Sequence, residues 1–103
     1  MTGGLEKIVV RIDADLAEIA PGYLENRRKD LEQMPQALAS GDFNLLRTLG
    51  HRMKGSGAGY GFDAISEIGR AIEEAAKRDD LSGVEYGVAE LAAYLERLEV
   101  VYG

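Results

Sequence analysis

Apolar side chains in this chain recur at steps of three and four, and toward the C-terminal end they do so without a break. Val84, Val88, Leu91, Leu95, Leu98 and Tyr102 alternate fours and threes, which lays one stripe along a helix and predicts a bundle seam. Three earlier segments keep the same rhythm. Leu24, Leu31 and Leu38 fall seven apart, with Tyr23 and Met34 beside them, in a helix that begins near Pro21 and stops at Ser40-Gly41. Leu45, Leu46, Leu49 and Met53 follow Asp42, a good N-cap. Ile65, Ile68 and Ile72 follow Phe62 and Asp63, an apolar residue ahead of an N-cap, and mark a helix reaching about Arg78. Asp79-Asp80-Leu-Ser-Gly83 is a turn before the last helix, and Asp13 or Asp15 caps a short helix through Leu16 and Ile19. Pro35 lies inside the first long helix, where it removes one hydrogen bond and should kink the chain. Ile8 to Ile12 is β-branched, but with no second strand candidate to pair with it is read as an ordered lead-in. The expected fold is all-α: an antiparallel four-helix bundle with a short extra N-terminal helix.

With 103 residues, of which 46% are hydrophobic, the chain has material for one core, so residues 1–103 are expected to form a single domain and a monomer. Twelve basic against eighteen acidic side chains give a net charge of −6. That balance argues against nucleic acid or an anionic membrane as the main partner, because both select a basic footprint. Arg27-Arg28-Lys29 reads as a solvated helix face. The absence of cysteine fits a reducing compartment, and neither a signal region at Met1-Thr-Gly-Gly nor an apolar run of about 20 residues is present, so a cytoplasmic domain without membrane insertion is expected.

One histidine stands out against this scaffold. At about 100° per residue, the Leu45, Leu46, Leu49 and Met53 stripe centres about 60° around from Leu45, whereas His51 falls at about 240°, across the helix and toward water. Arg47 and Lys54, at roughly 200° and 180°, flank the ring on that face and make a local basic spot in an acidic chain. Gly50, Gly55 and Gly57 surround it, although glycine inside a helix costs about 0.5 to 1 kcal/mol relative to alanine. Either the helix ends near Lys54 and residues 55–61 form a flexible loop, or it continues and Gly55 leaves the surface beside the ring bare for a partner's backbone.

Several chemistries fail on spacing. A di-iron bundle needs Glu-x-x-His, and Thr48 stands three before His51; a zinc site needs cysteine or several histidines. The glycines do not fit G-x-G-x-x-G, and no Lys-Ser/Thr pair is placed as in a P-loop. Ser56 has no histidine to serve as its base, because His51 points elsewhere on the helix. What remains is nucleophilic chemistry at an exposed imidazole, a ring largely neutral at cytosolic pH with one nitrogen free. Attack on a phosphoryl group would leave a dianion, which Lys54, with Arg47 as second candidate, could balance.

His51-x-x-Lys54-Gly55-Ser56-Gly57, with Tyr60-Gly61-Phe62 behind it, resembles the signature of histidine-containing phosphotransfer domains of two-component phosphorelays. Val10-Arg-Ile-Asp13-Ala-Asp-Leu16, continued through Pro21-Gly-Tyr-Leu-Glu-Asn-Arg27-Arg28, is similar to the start of such domains fused to hybrid sensor kinases, so the resemblance spans nearly the whole chain. It implies that His51 takes a phosphoryl group from the aspartate of one receiver domain and passes it to another response regulator. Lys54, Gly55 and the supporting Ser56 belong to that motif. It also implies that the receiver brings Mg²⁺ and most catalytic groups, the chain itself being a carrier without a cofactor or kinase activity, with receivers and a hybrid sensor histidine kinase as partners. Some related domains place a glutamine or glutamate on the next helix to hold the ring's other nitrogen, and Glu73 is the candidate. The alternatives are the phosphoacceptor domain of a chemotaxis-type kinase, phosphorylated directly by an ATP-binding domain, and a non-catalytic helical interaction module.

Overall fold

A computed structural model describes residues 6–103. Its elements in order are β1 (Ile8–Ile12), a 3-10 turn (Ala14–Leu16), α1 (Ala20–Ser40), α2 (Phe43–Ser56), a second 3-10 turn (Ala58–Tyr60), α3 (Asp63–Lys77), α4 (Leu81–Arg97) and β2 (Leu98–Tyr102). Each long helix starts and stops for a local reason. Pro21 sits in the first turn of α1, which stays helical through the exposed Pro35 and ends at Gly41 with φ 70°, a left-handed conformation that suits glycine. The Asp42 carboxylate then accepts from the Leu45 N–H, and Asp80 accepts from Gly83 N–H at the start of α4. At α3 the expectation shifts by one residue: Asp63 is the first helical residue, and the capping position is held by Phe62, buried beneath the helix and without a side-chain cap bond.

Four helices pack in a ring, α2 against α1 and α3, and α4 against α3 and α1. Neighbours run antiparallel, since Gly50 lies beside Glu73 while Gly57 lies beside Ser66, and Gly83 lies beside Ala75 while Gly87 lies beside Ile72. The periodic stripes meet inside: Leu24 and Met34 from α1, Leu46, Leu49 and Met53 from α2, Ile65, Ile68 and Ile72 from α3, and Val84, Leu91 and Leu95 from α4 are all buried. Among the described residues, no helix is long and apolar enough to cross a membrane.

Two expectations at the chain's ends are overturned. Ile8–Ile12 is a strand, and its partner is Leu98–Tyr102, which the three-and-four rhythm assigned to the last helix; the two pair in parallel, Ile8 opposite Leu98 and Ile12 opposite Tyr102. The reason is that Leu98, Val100 and Tyr102, like Ile8, Val10 and Ile12, pack against the core with a period of two, leaving Val9, Arg11 and Glu99 outside. The chain leaves helical geometry at Leu98, with φ −70° and ψ 130°. The extra N-terminal helix is a single 3-10 turn, capped by Asp13, whose side chain accepts from Asp15 N–H at 2.8 Å.

The tightest packing lies between α2 and α3. A Cβ placed on Gly50 would come 2.7 Å from Glu73 N and 2.8 Å from Gly69 O, and one on Gly69 would come 2.6 Å from Lys54 N. Both helix backbones are therefore in contact, a closeness that only glycine permits. Gly55 is different, because nothing lies within 4 Å of where its Cβ would be. Alanine at either site gains about 1 kcal/mol of helix propensity. We expect Gly55→Ala to keep that gain, whereas Gly69→Ala should lose about 1 to 3 kcal/mol by forcing the helices apart. Urea unfolding of the two variants checks this, and equal stabilisation by both would contradict the close approach.

Candidate functional site

The site forms where α2 and α3 touch. Leu46, Leu49 and Met53 bury one side of α2, so His51 on the opposite side has a side chain 67% exposed. Across the glycine contact stands Glu73, whose side chain is only 6% exposed. His51 Nδ1 lies 3.0 Å from Glu73 Oε2, and Lys54 Nζ lies 2.9 Å from Glu73 Oε1. Lys77, one turn farther along α3, brings its Nζ to 3.6 Å from Oε2. The Lys54 ammonium in contact with it is the main cause that holds the Glu73 carboxyl down to about 2; burial opposes this, and His51 and Lys77 add to it. Glu73 is thus an anion at neutral pH and can only accept. It follows that Nδ1 of His51 donates its N–H to Glu73, and that a neutral ring carries its lone pair on Nε2, which has no hydrogen bond among the described residues.

The remaining residues singled out in the sequence fall on two sides of the ring. Helix α2 runs on through Ser56, so Gly55 is helical and exposed, one turn beyond His51, and the loop alternative does not hold. Ser56 turns away toward α1: its hydroxyl donates to Arg52 O at 2.8 Å and lies 2.7 Å from Tyr23 Oη. Tyr23 in turn stacks on Tyr60 with ring centroids 4.2 Å apart, fastening the residues after α2 to α1. Ser66 completes the anchorage, donating to Lys54 O and accepting from Ala58 N–H. Ser56 therefore supports the end of α2, its hydroxyl engaged with Arg52 and Tyr23 and not with the imidazole.

On the other side of His51, Arg47, Thr48, Arg52, Glu73 and Lys77 join it in lining a cleft of about 350 Å³. Arg47 lies in that cleft on the exposed face, whereas Lys54 does not line it and is engaged with Glu73. Sequence reasoning missed Lys77, although its place four residues after Glu73 put it on the same face of α3. It also took Gly50 and Gly57 for a functional signal, when each is required by packing against α3.

The depressed Glu73 ionisation makes a stability prediction. A carboxyl whose folded pKa lies below its ordinary 4.5 stabilises the fold above that pH, and the contribution is lost as pH falls toward 2. The unfolding free-energy difference between the native protein and Glu73→Gln should therefore narrow as pH falls from 5 toward 2. Chemical denaturation across that range checks it, and a difference that does not vary with pH would refute the assignment.

Compared with known proteins, the chain matches the family model described as the Hpt domain over residues 18–100. No curated protein and no solved structure matches it.

Proposed function

The chain belongs to the Hpt domain family and has a histidine phosphotransfer role in phosphorelay signalling, and from that premise we propose that His51 is the residue that carries the phosphoryl group. The observation that carries this reading is a lone, exposed imidazole whose Nδ1 is held by a buried anion, so that Nε2 faces solvent. Nε2 attacks the phosphorus of a receiver's aspartyl phosphate, the N–P bond forms, and the P–O bond breaks with its electron pair returning to the aspartate carboxylate. The Nδ1 proton stays on the ring, shared with Glu73, so the phosphorylated ring is an imidazolium paired with a carboxylate. In the return step a second receiver's aspartate attacks and the ring leaves as neutral imidazole, a better leaving group than its anion. Glu73 thus orients the ring and keeps its charge paired throughout the cycle.

Receiver domains are the partner class of this family. The acceptor and donor aspartates, and the Mg²⁺ that neutralises the transferring group, come with those receivers, one of them in a hybrid sensor kinase. In a chain of net charge −6, the cations Arg47, Arg52, Lys54 and Lys77 around His51 form a docking spot of the sign an acidic active site selects. The open surface at Gly55 gives a receiver's backbone room to reach the ring.

Incubation with a phosphorylated receiver should yield an acid-labile, base-stable phosphoprotein, and His51→Gln should abolish it while leaving the domain folded. Equal labelling of that variant would sink the assignment. Labelling by an ATP-binding kinase domain alone, with none from any receiver, would favour the chemotaxis-type alternative. Gly55→Gln should keep or raise the melting temperature, because the helix continues through this site. Its side chain would fill the approach beside His51, and transfer from the receiver should fall at least about tenfold, the loss expected from about 1.4 kcal/mol of obstruction. Transfer at the native rate would show that receivers do not approach over Gly55.

A further inference from the structure

Two flanks of His51 differ in a way the phosphotransfer role does not by itself explain. On the C-terminal flank, Lys54 is already within 2.9 Å of the Glu73 carboxylate, and the next residue, Gly55, leaves the surface bare. On the N-terminal flank lies the cleft of about 350 Å³ formed by Arg47, Thr48, Arg52 and Lys77 with His51 and Glu73. Arg47 and Thr48 stand one turn before His51 on α2. Lys77 stands one turn after Glu73 on the antiparallel α3, which brings it to the same level from the opposite wall. Among the described residues, Arg47 and Arg52 form no ion pair, and Lys77 is held only at 3.6 Å with a side chain 53% exposed. Three cations thus line a recess that His51 also lines, while the fourth, Lys54, is occupied by Glu73.

We propose that Arg47 and Lys77 form a phosphoryl-binding subsite that holds the group carried on Nε2 of His51, and that Lys54 serves Glu73 instead. The inference rests on His51 being the phosphoryl carrier. A dianion added at Nε2 meets cations that have no stronger partner to give up, so the subsite binds without first breaking the Lys54–Glu73 pair. That pair stays in place, and Glu73 remains neutralised while it accepts from Nδ1–H. The cleft also lies on the flank away from Gly55, so the phosphoryl group is steadied on one side while the other stays open to the receiver.

Phosphoramidate tests this on the whole protein without a receiver. Nε2 attacks its phosphorus, the P–N bond breaks, ammonia leaves, and the Nδ1 proton remains on the ring. The second ionisation of the resulting phosphohistidine is then followed by ³¹P NMR as a function of pH. A cation held near the phosphoryl oxygens favours the dianion, so its removal raises the titration midpoint. Lys77→Gln and Arg47→Gln should each raise it by roughly half a unit, the size expected of a partly exposed pair. Lys77→Arg should return the native midpoint, and Lys54→Gln should move it less than either. Native midpoints in both Lys77→Gln and Arg47→Gln, or a larger shift in Lys54→Gln, would overturn the subsite while leaving the carrier reading intact. Absence of any phosphohistidine resonance from the unsubstituted protein would overturn both.

Discussion

Contact between the backbones of α2 and α3 at Gly50 and Gly69 is the constraint on which the site depends. Because neither residue has a side chain, Glu73 N comes within van der Waals range of α2 one residue before His51. A carboxylate side chain is short, and at an ordinary helix separation of 8 to 10 Å between axes it would reach neither the imidazole nor Lys54 so directly. Gly57 repeats the device about two turns later against Ser66, and Ser66 in turn holds Lys54 O and Ala58 N–H. The ring, the carboxylate and the lysine are thus placed by main-chain contacts, which vary far less than side-chain rotamers do.

The same packing creates an electrostatic problem and its answer. An uncompensated carboxylate removed from water is costly, and a paired one need not be stabilising on balance. Glu73 keeps its charge because Lys54, His51 and Lys77 converge on it from two helices. All three reach it from the exposed rim, so they stay partly hydrated while they pair the anion's charge. An anion fixed in this way has a single orientation, and it confers that orientation on an imidazole that would otherwise rotate freely on an exposed helix face.

Much of this was legible in the sequence, and what was not shares one cause. The four long helices and the outward aspect of His51 follow from local periodicity, and Asp42 and Gly41 act where a capping carboxylate and a residue without a Cβ are expected. Glu73 came from the family resemblance, and the structure puts it beside His51. The strands were missed because a parallel pair between residues 8–12 and 98–102 leaves no local signal, and because Leu98 and Tyr102 satisfy a helical step of four as well as a strand step of two. Gly50 and Gly69 each look like a local penalty, and only their juxtaposition turns them into a contact. Lys77 was passed over for a related reason: an exposed lysine on a helix is unremarkable until the neighbouring helix places a histidine and two arginines across from it.

The two-stranded ribbon also sets an order on how the molecule comes into being. β1 is made before the helices, yet its hydrogen-bonding partner lies some ninety positions later, so it cannot pair until residues 98–102 have been synthesised. Helix turns form from neighbours in sequence and close quickly, whereas a pairing of this span bears the full loop-closure entropy unless the intervening helices have already collapsed. The bundle must therefore assemble first and bring the two runs together. Until it does, Ile8–Ile12 is a nascent β-branched segment with nothing to bond to, which makes the interval before α4 docks the time of greatest exposure to aggregation.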